Sequence, residues 1–107
     1  MAIPIKRKRK LGPETQLKQA CKQFLALHQI QTWPIVAGMG SPPGLPDRFG
    51  VSPGGFALAL EFKAGKNDLT DAQMEFKYRW ERAGGIYIVV RRVEDIAKKL
   101  GIKTLIW

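Results

Sequence analysis

The sequence predicts an α/β fold, a mixed central sheet flanked by helices. Three observations point to it. Two segments repeat apolar residues at helical spacing, short apolar runs of strand length lie between and after them, and Gly- and Pro-rich stretches punctuate the joins. At 107 residues the chain is long enough for one modest core. Residues 1–12 read as a basic arm and residues 13–107 as a single domain.

The elements follow in order. Gly12-Pro13 ends the arm, and Pro13 suits a first helical turn. Leu17, Ala20, Cys21, Phe24, Leu25 and Leu27 then predict a helix from Glu14 to about Gln29. A short strand is expected over Thr32–Val36, irregular or at an edge because of Pro34. Residues 37–46 carry three glycines and three prolines and read as a loop with specific backbone demands. Arg48–Val51 and Phe56–Phe62 read as a hairpin turning at Pro53-Gly54, and the second run is apolar enough for burial on both faces. Thr70 and Gln73 form a capping-box pattern that starts a second helix, which stops at Gly84-Gly85. Ile86–Val90 is a further buried strand, Val93–Leu100 a short helix ended by Gly101, and Ile102–Trp107 an apolar tail.

Charge narrows the partner. The formal net charge is +9, and Lys6, Arg7, Lys8, Arg9 and Lys10 are consecutive. The rest of the chain is still net basic, so a nucleic acid is the natural partner, although a basic run can also be a solvated terminus. No apolar run approaches the roughly 20 residues needed to span a bilayer, so no membrane role is expected. The basic start gives way to Gly-Pro instead of an apolar segment, which predicts work in the compartment of synthesis. Cys21 and His28 are each the sole residue of their kind, which excludes a disulfide within the chain and metal sites built from several cysteines or histidines. Cys21 is expected in the core and His28 in a structural or solvated position. Any metal chemistry must lean on carboxylates and a hard cation.

Glu61 sits at the end of the most apolar strand, between Leu60 and Phe62. Alternation sends Glu61 and Lys63 to one face. Asp47 and Glu61 are equidistant from Gly54, so the hairpin brings the two carboxylates to matching strand ends. There they repel unless a cation lies between them. Mg²⁺ fits, since it needs only one or two carboxylates with waters and a substrate phosphate. Asp47, Glu61 and the Phe62 backbone carbonyl are the candidate ligands, with Lys63 beside the phosphate or its attacking water. The alternative is that Glu61 and Lys63 simply meet water or each other at a strand end. Glu14 either complements its helix end or reaches the metal. Gln73 either caps the second helix or also faces the phosphate.

These residues carry a resemblance. Pro46-Asp47, then Glu61-Phe62-Lys63, with Glu14 in the first helix, glycines from Gly40 to Gly44 and Gln73 in the following helix, resemble the VRR-NUC family of the PD-(D/E)xK nuclease superfamily. The match runs from about Pro13 to Val90; Arg48-Phe49 departs from the apolar residue more usual after the aspartate. The resemblance implies a restriction-endonuclease-like core and Mg²⁺- or Mn²⁺-dependent DNA hydrolysis, with Asp47, Glu61, Lys63, Glu14 and Gln73 in the site. The small standalone members resemble Holliday junction resolvases, which act as homodimers on four-way DNA, and such chains are common in phages. That implies the cytoplasm of a bacterium or phage-infected host. A homodimer interface is expected either on the C-terminal tail or on Tyr78 and Trp80, unless these complete the monomer core. Lys6–Lys10, Arg48, Lys66, Lys77, Arg91 and Arg92 are the candidate contacts to DNA phosphates. Two other readings stay open: a non-catalytic basic nucleic-acid-binding protein, and a nuclease of the same fold acting on flap or single-stranded DNA.

Overall fold

A computed structural model describes residues 12–103. The elements are α1 (Pro13–Leu27), β1 (Thr32–Pro34), β2 (Arg48–Val51), β3 (Ala57–Phe62), α2 (Asp71–Arg82), β4 (Ile86–Val90) and α3 (Val93–Leu100). The strands form one mixed sheet in the order β1-β2-β3-β4, with the first two pairings antiparallel and β3–β4 parallel. This is the helix-flanked mixed sheet that the sequence predicts. No helix among the described residues is long and apolar enough to cross a membrane.

Hydrophobic spacing explains the main core. Cys21, Phe24 and Leu25 line one side of α1 and pack with Leu58, Leu60 and Phe62 of β3, Ile88 and Val90 of β4, and Val93, Ile96 and Ala97 of α3. Cys21 is fully buried, and burial pushes its thiol up to about 12, as expected of an inert core cysteine. His28 caps the end of α1 with its ring centroid 4.4 Å from that of Phe24, a structural position.

The opposite face packs against α2. Thr70 Oγ1 accepts from the Gln73 backbone N–H, and Gln73 Oε1 accepts from the Thr70 N–H, so the predicted capping box is complete. No residue of α2 is fully buried. The helix instead packs through aromatic rings. Phe49 stacks on Trp80 at 5.1 Å, Trp80 on Phe76 at 5.5 Å, and Phe76 tilts against Tyr87 at 6.3 Å. Trp80 Nε1 donates to the Ile86 carbonyl at 3.0 Å. Trp80 is thus half-buried within the monomer, whereas Tyr78 is exposed.

Three expectations need adjustment. The first strand ends at Pro34 instead of Val36; Ile35 still donates to the Asp47 carbonyl at 2.9 Å, and the chain then leaves for the Gly/Pro loop. The second hairpin strand begins at Ala57, one residue later than expected. Of the apolar tail, Ile102 packs against the core, while residues 104–107 lie outside the described residues, as do Lys6–Lys10.

Candidate active site

The Gly/Pro loop delivers Asp47. Gly44 has φ +82°, and a Cβ there would overlap the Ala72 carbonyl in the first turn of α2. A side chain would fail on both counts, so glycine lets the loop lie directly on the helix. Pro46 is buried beneath it. Asp47 then joins the sheet one residue ahead of β2. Its N–H donates to the Leu60 carbonyl at 2.9 Å, and its carbonyl accepts from the Ile35 N–H at 2.9 Å.

The hairpin register is the one the sequence implied. Arg48 pairs with Leu60 and Phe49 with Ala59, and the regular pairing ends there; Asp47 also bonds to Leu60, which keeps its carboxylate near enough for its charge to act on Glu61. Asp47 Oδ2 accepts from the Phe62 N–H at 2.8 Å. It is thus the N–H of Phe62, the last residue of β3, that the structure ties to Asp47.

Glu61 is only 4% exposed. Its Oε1 accepts from Gln73 Nε2 at 2.9 Å and lies 3.9 Å from Lys63 Nζ. Its Oε2 is buried and has no hydrogen-bond partner among the described residues. Burial and then the nearby Asp47 charge push the carboxyl up from 4.5 to about 7, against the opposing pull of Lys63 and Lys18. An acid so placed is costly to ionise until a further cation arrives.

Gln73 performs two tasks with the two ends of one amide. Its oxygen caps α2 and its nitrogen holds Glu61. Capping and a role in the site are therefore compatible, although its partner is the carboxylate. Glu14 lies apart from this group. It is exposed in the first turn of α1, 4.0 Å from Lys18 Nζ. Among the described residues no group of three or more His, Cys, Asp or Glu side chains is placed to hold a metal. The carboxylate inventory of the site is thus the pair Asp47 and Glu61.

The basic residues divide. Arg48 is anchored, with Nε on Thr32 Oγ1 at 2.9 Å and Nη2 on the Thr32 carbonyl at 3.1 Å. Lys77 pairs with Glu81 at 2.7 Å. Arg91 bonds the Gly65 carbonyl at 2.9 Å and lies 3.6 Å from Asp68. Lys66 and Arg92 are exposed.

Two residues of this region escaped the sequence reading. Lys18 projects from α1 with Nζ 6.0 Å from the centroid of the Phe62 ring. Tyr87 is 1% exposed, on the sheet face of Glu61, and its hydroxyl has no partner among the described residues. Burial first, then the charges of Glu61 and Asp47, push its pKa above the usual phenol range. For Lys18, helical spacing from Glu14 was an available signal; for Tyr87, nothing distinguished it from a core aromatic.

A solved structure described as a VRR_NUC domain superimposes on this chain with a TM-score of 0.71, covering 88% of this chain and 100% of that one at 17% sequence identity. The fold is therefore that of a VRR_NUC domain, as the sequence motifs implied. No family model matches the sequence, and no curated protein matches it.

Proposed function

We propose that this chain is a divalent-metal-dependent endodeoxyribonuclease of the VRR-NUC type, acting on branched DNA such as four-way junctions as a homodimer. The observation that carries the catalytic reading is the buried Oε2 of Glu61, without a partner among the described residues, close to Asp47 and two residues before Lys63. Two adjacent carboxylates with an unsatisfied oxygen fit Mg²⁺ or Mn²⁺ far better than they fit a phosphate-binding surface.

Asp47 and Glu61 would hold the ion, with the Phe62 carbonyl as a further oxygen donor. When bound, it would withdraw charge from the scissile phosphate and acidify a water molecule. The rest falls to the chain. Gln73 fixes the orientation of Glu61 through Oε1 and leaves Oε2 available. The Phe62 N–H fixes Asp47. Lys63 supplies an ammonium beside the carboxylate pair, where it orients the attacking water and offsets charge on the pentavalent transition state. Water oxygen bonds to phosphorus, the sugar oxygen departs and takes up a proton, and no covalent enzyme intermediate is required.

The branched substrate and the dimer rest on the resemblance and on symmetry: paired cuts across a junction call for two sites related by a twofold axis. The decisive experiment offers labelled duplex, flap, splayed-arm and four-way DNA with Mg²⁺, with Mn²⁺ and with chelator. Symmetric cuts near the junction centre are expected with either metal. Asp47→Ala and Lys63→Ala should each lower the rate by more than roughly 100-fold while binding persists. Binding without metal-dependent cleavage on any of the four substrates would leave a non-catalytic basic module, and cleavage confined to flaps or single strands would replace the junction with those substrates.

A further inference from the structure

We infer that the polar stripe Thr15, Lys18, Gln19 and Lys22 of α1 is a backbone-binding wall for the DNA strand, seating the phosphate next to the one at Asp47 and Glu61. The inference rests on the nuclease reading only for the position of the scissile phosphate.

The four residues fall at i, i+3, i+4 and i+7, so they share one face of the helix, beside the apolar stripe that packs on β3. That face borders a cleft of about 270 Å³. Pro34 and Ile35 form the opposite wall, and Asp47, Arg48 and Phe62 complete the lining. The cleft therefore opens directly onto the candidate catalytic carboxylate. It is smaller than the roughly 300–1,000 Å³ of drug-sized ligand sites, a scale suited to a segment of one strand.

Charge selects the occupant. Lys18, Lys22 and Arg48 line the cleft against a single carboxylate, Asp47, which the metal would neutralise. Lys22 has no ion pair with any described residue, and Lys18 has only an exposed helical pair with Glu14 at 4.0 Å, an interaction of little strength in water. Arg48 is preset by its two bonds to Thr32. Thr15 and Gln19 add neutral donors between the cations. A phosphodiester backbone needs this mixture, cations and donors for its oxygens with an apolar surface for its sugar. None of these groups reads a base edge, so the wall positions DNA without selecting sequence.

The test measures DNA binding in chelator, where cleavage plays no part. Lys18→Gln with Lys22→Gln should weaken binding about tenfold and make the slope of log K against log salt shallower by about 2, one unit per lost phosphate contact. Lys18→Arg with Lys22→Arg should restore the slope. The exposed α3 pair Lys98→Gln with Lys99→Gln removes the same charge elsewhere and should change the slope by less than half as much. In cleavage assays the Lys18/Lys22 variant should raise KM more than it lowers kcat. An unchanged slope, or an equal loss in the α3 variant, overturns the inference. This pattern without metal-dependent cleavage by the unaltered protein would sink the nuclease reading alone, whereas cleavage with an unchanged slope would sink the wall alone.

Discussion

The two faces of the sheet are built to different rules. Toward α1 and α3, β3 and β4 present Leu58, Leu60, Phe62, Ile88 and Val90, and every one of them is buried among carbon and sulfur. Toward α2 the same strands present Ala59, Glu61 and Tyr87, and the two buried side-chain polar atoms without partners among the described residues, Glu61 Oε2 and Tyr87 Oη, are both here. One face supplies stability through close-packed apolar contact. The other accepts the unfavourable burial of an acid, the feature on which the proposed metal site rests. The lesson is that the candidate site occupies the less consolidated layer, under a helix with no fully buried residue.

The comparison can be broken most forcefully at its apolar side. Leu60→Ala should cost about 2–5 kcal/mol in urea denaturation, because Leu60 is fully buried between sheet and helices. A loss no larger than that of a surface substitution would mean the α1 face is not the principal core.

The polar side should show itself in pH. Unfolded Glu61 ionises near 4.5, while folded Glu61 keeps its proton to about 7. Between those values the unfolded state binds fewer protons, so stability of the metal-free protein falls as pH rises and levels off above 7. The contribution is about 3 kcal/mol at most. Glu61→Gln should flatten that part of the profile, and Mg²⁺ should restore stability at high pH in the unaltered protein. A profile rising from pH 5 to 8 would contradict the burial seen for this carboxyl.

Gln73→Ala tests the link between α2 and the site. Losing both amide contacts should cost about 1 kcal/mol of stability and roughly 10–100-fold in cleavage rate, the usual scale for a residue that orients a metal ligand. Equal losses from Thr70→Ala would reduce Gln73 to a cap. The smallest effect belongs to Tyr87→Phe. Removing a buried hydroxyl that has no partner among the described residues should be neutral or stabilising by up to about 1 kcal/mol in thermal denaturation. A clear destabilisation would show that this hydroxyl is satisfied in solution, by water or by Glu61.

Much of this was legible in advance where local chemistry decides. The Thr70–Gln73 capping box, the α3 stop at Gly101 and the register of the β2–β3 hairpin all follow from short-range rules, since a tight reversal near Gly54 leaves only one pairing that keeps the apolar set inward. Strand ends were less legible, as at Pro34, because ladder termination depends on what the neighbouring strand offers.

Taken alone, the order of residues determined the class of fold, the helix signals and the convergence of two carboxylates with a lysine, because periodicity, capping and hairpin register act over a few residues. Only the tertiary structure decided that Gln73 grips Glu61, that Trp80 is half-buried within the monomer, that Arg48 is anchored to Thr32, and that Lys18 and Lys22 wall a cleft beside Asp47. Those outcomes depend on which elements face each other across the sheet. That is set by burial of the whole apolar surface, and no local rule records it.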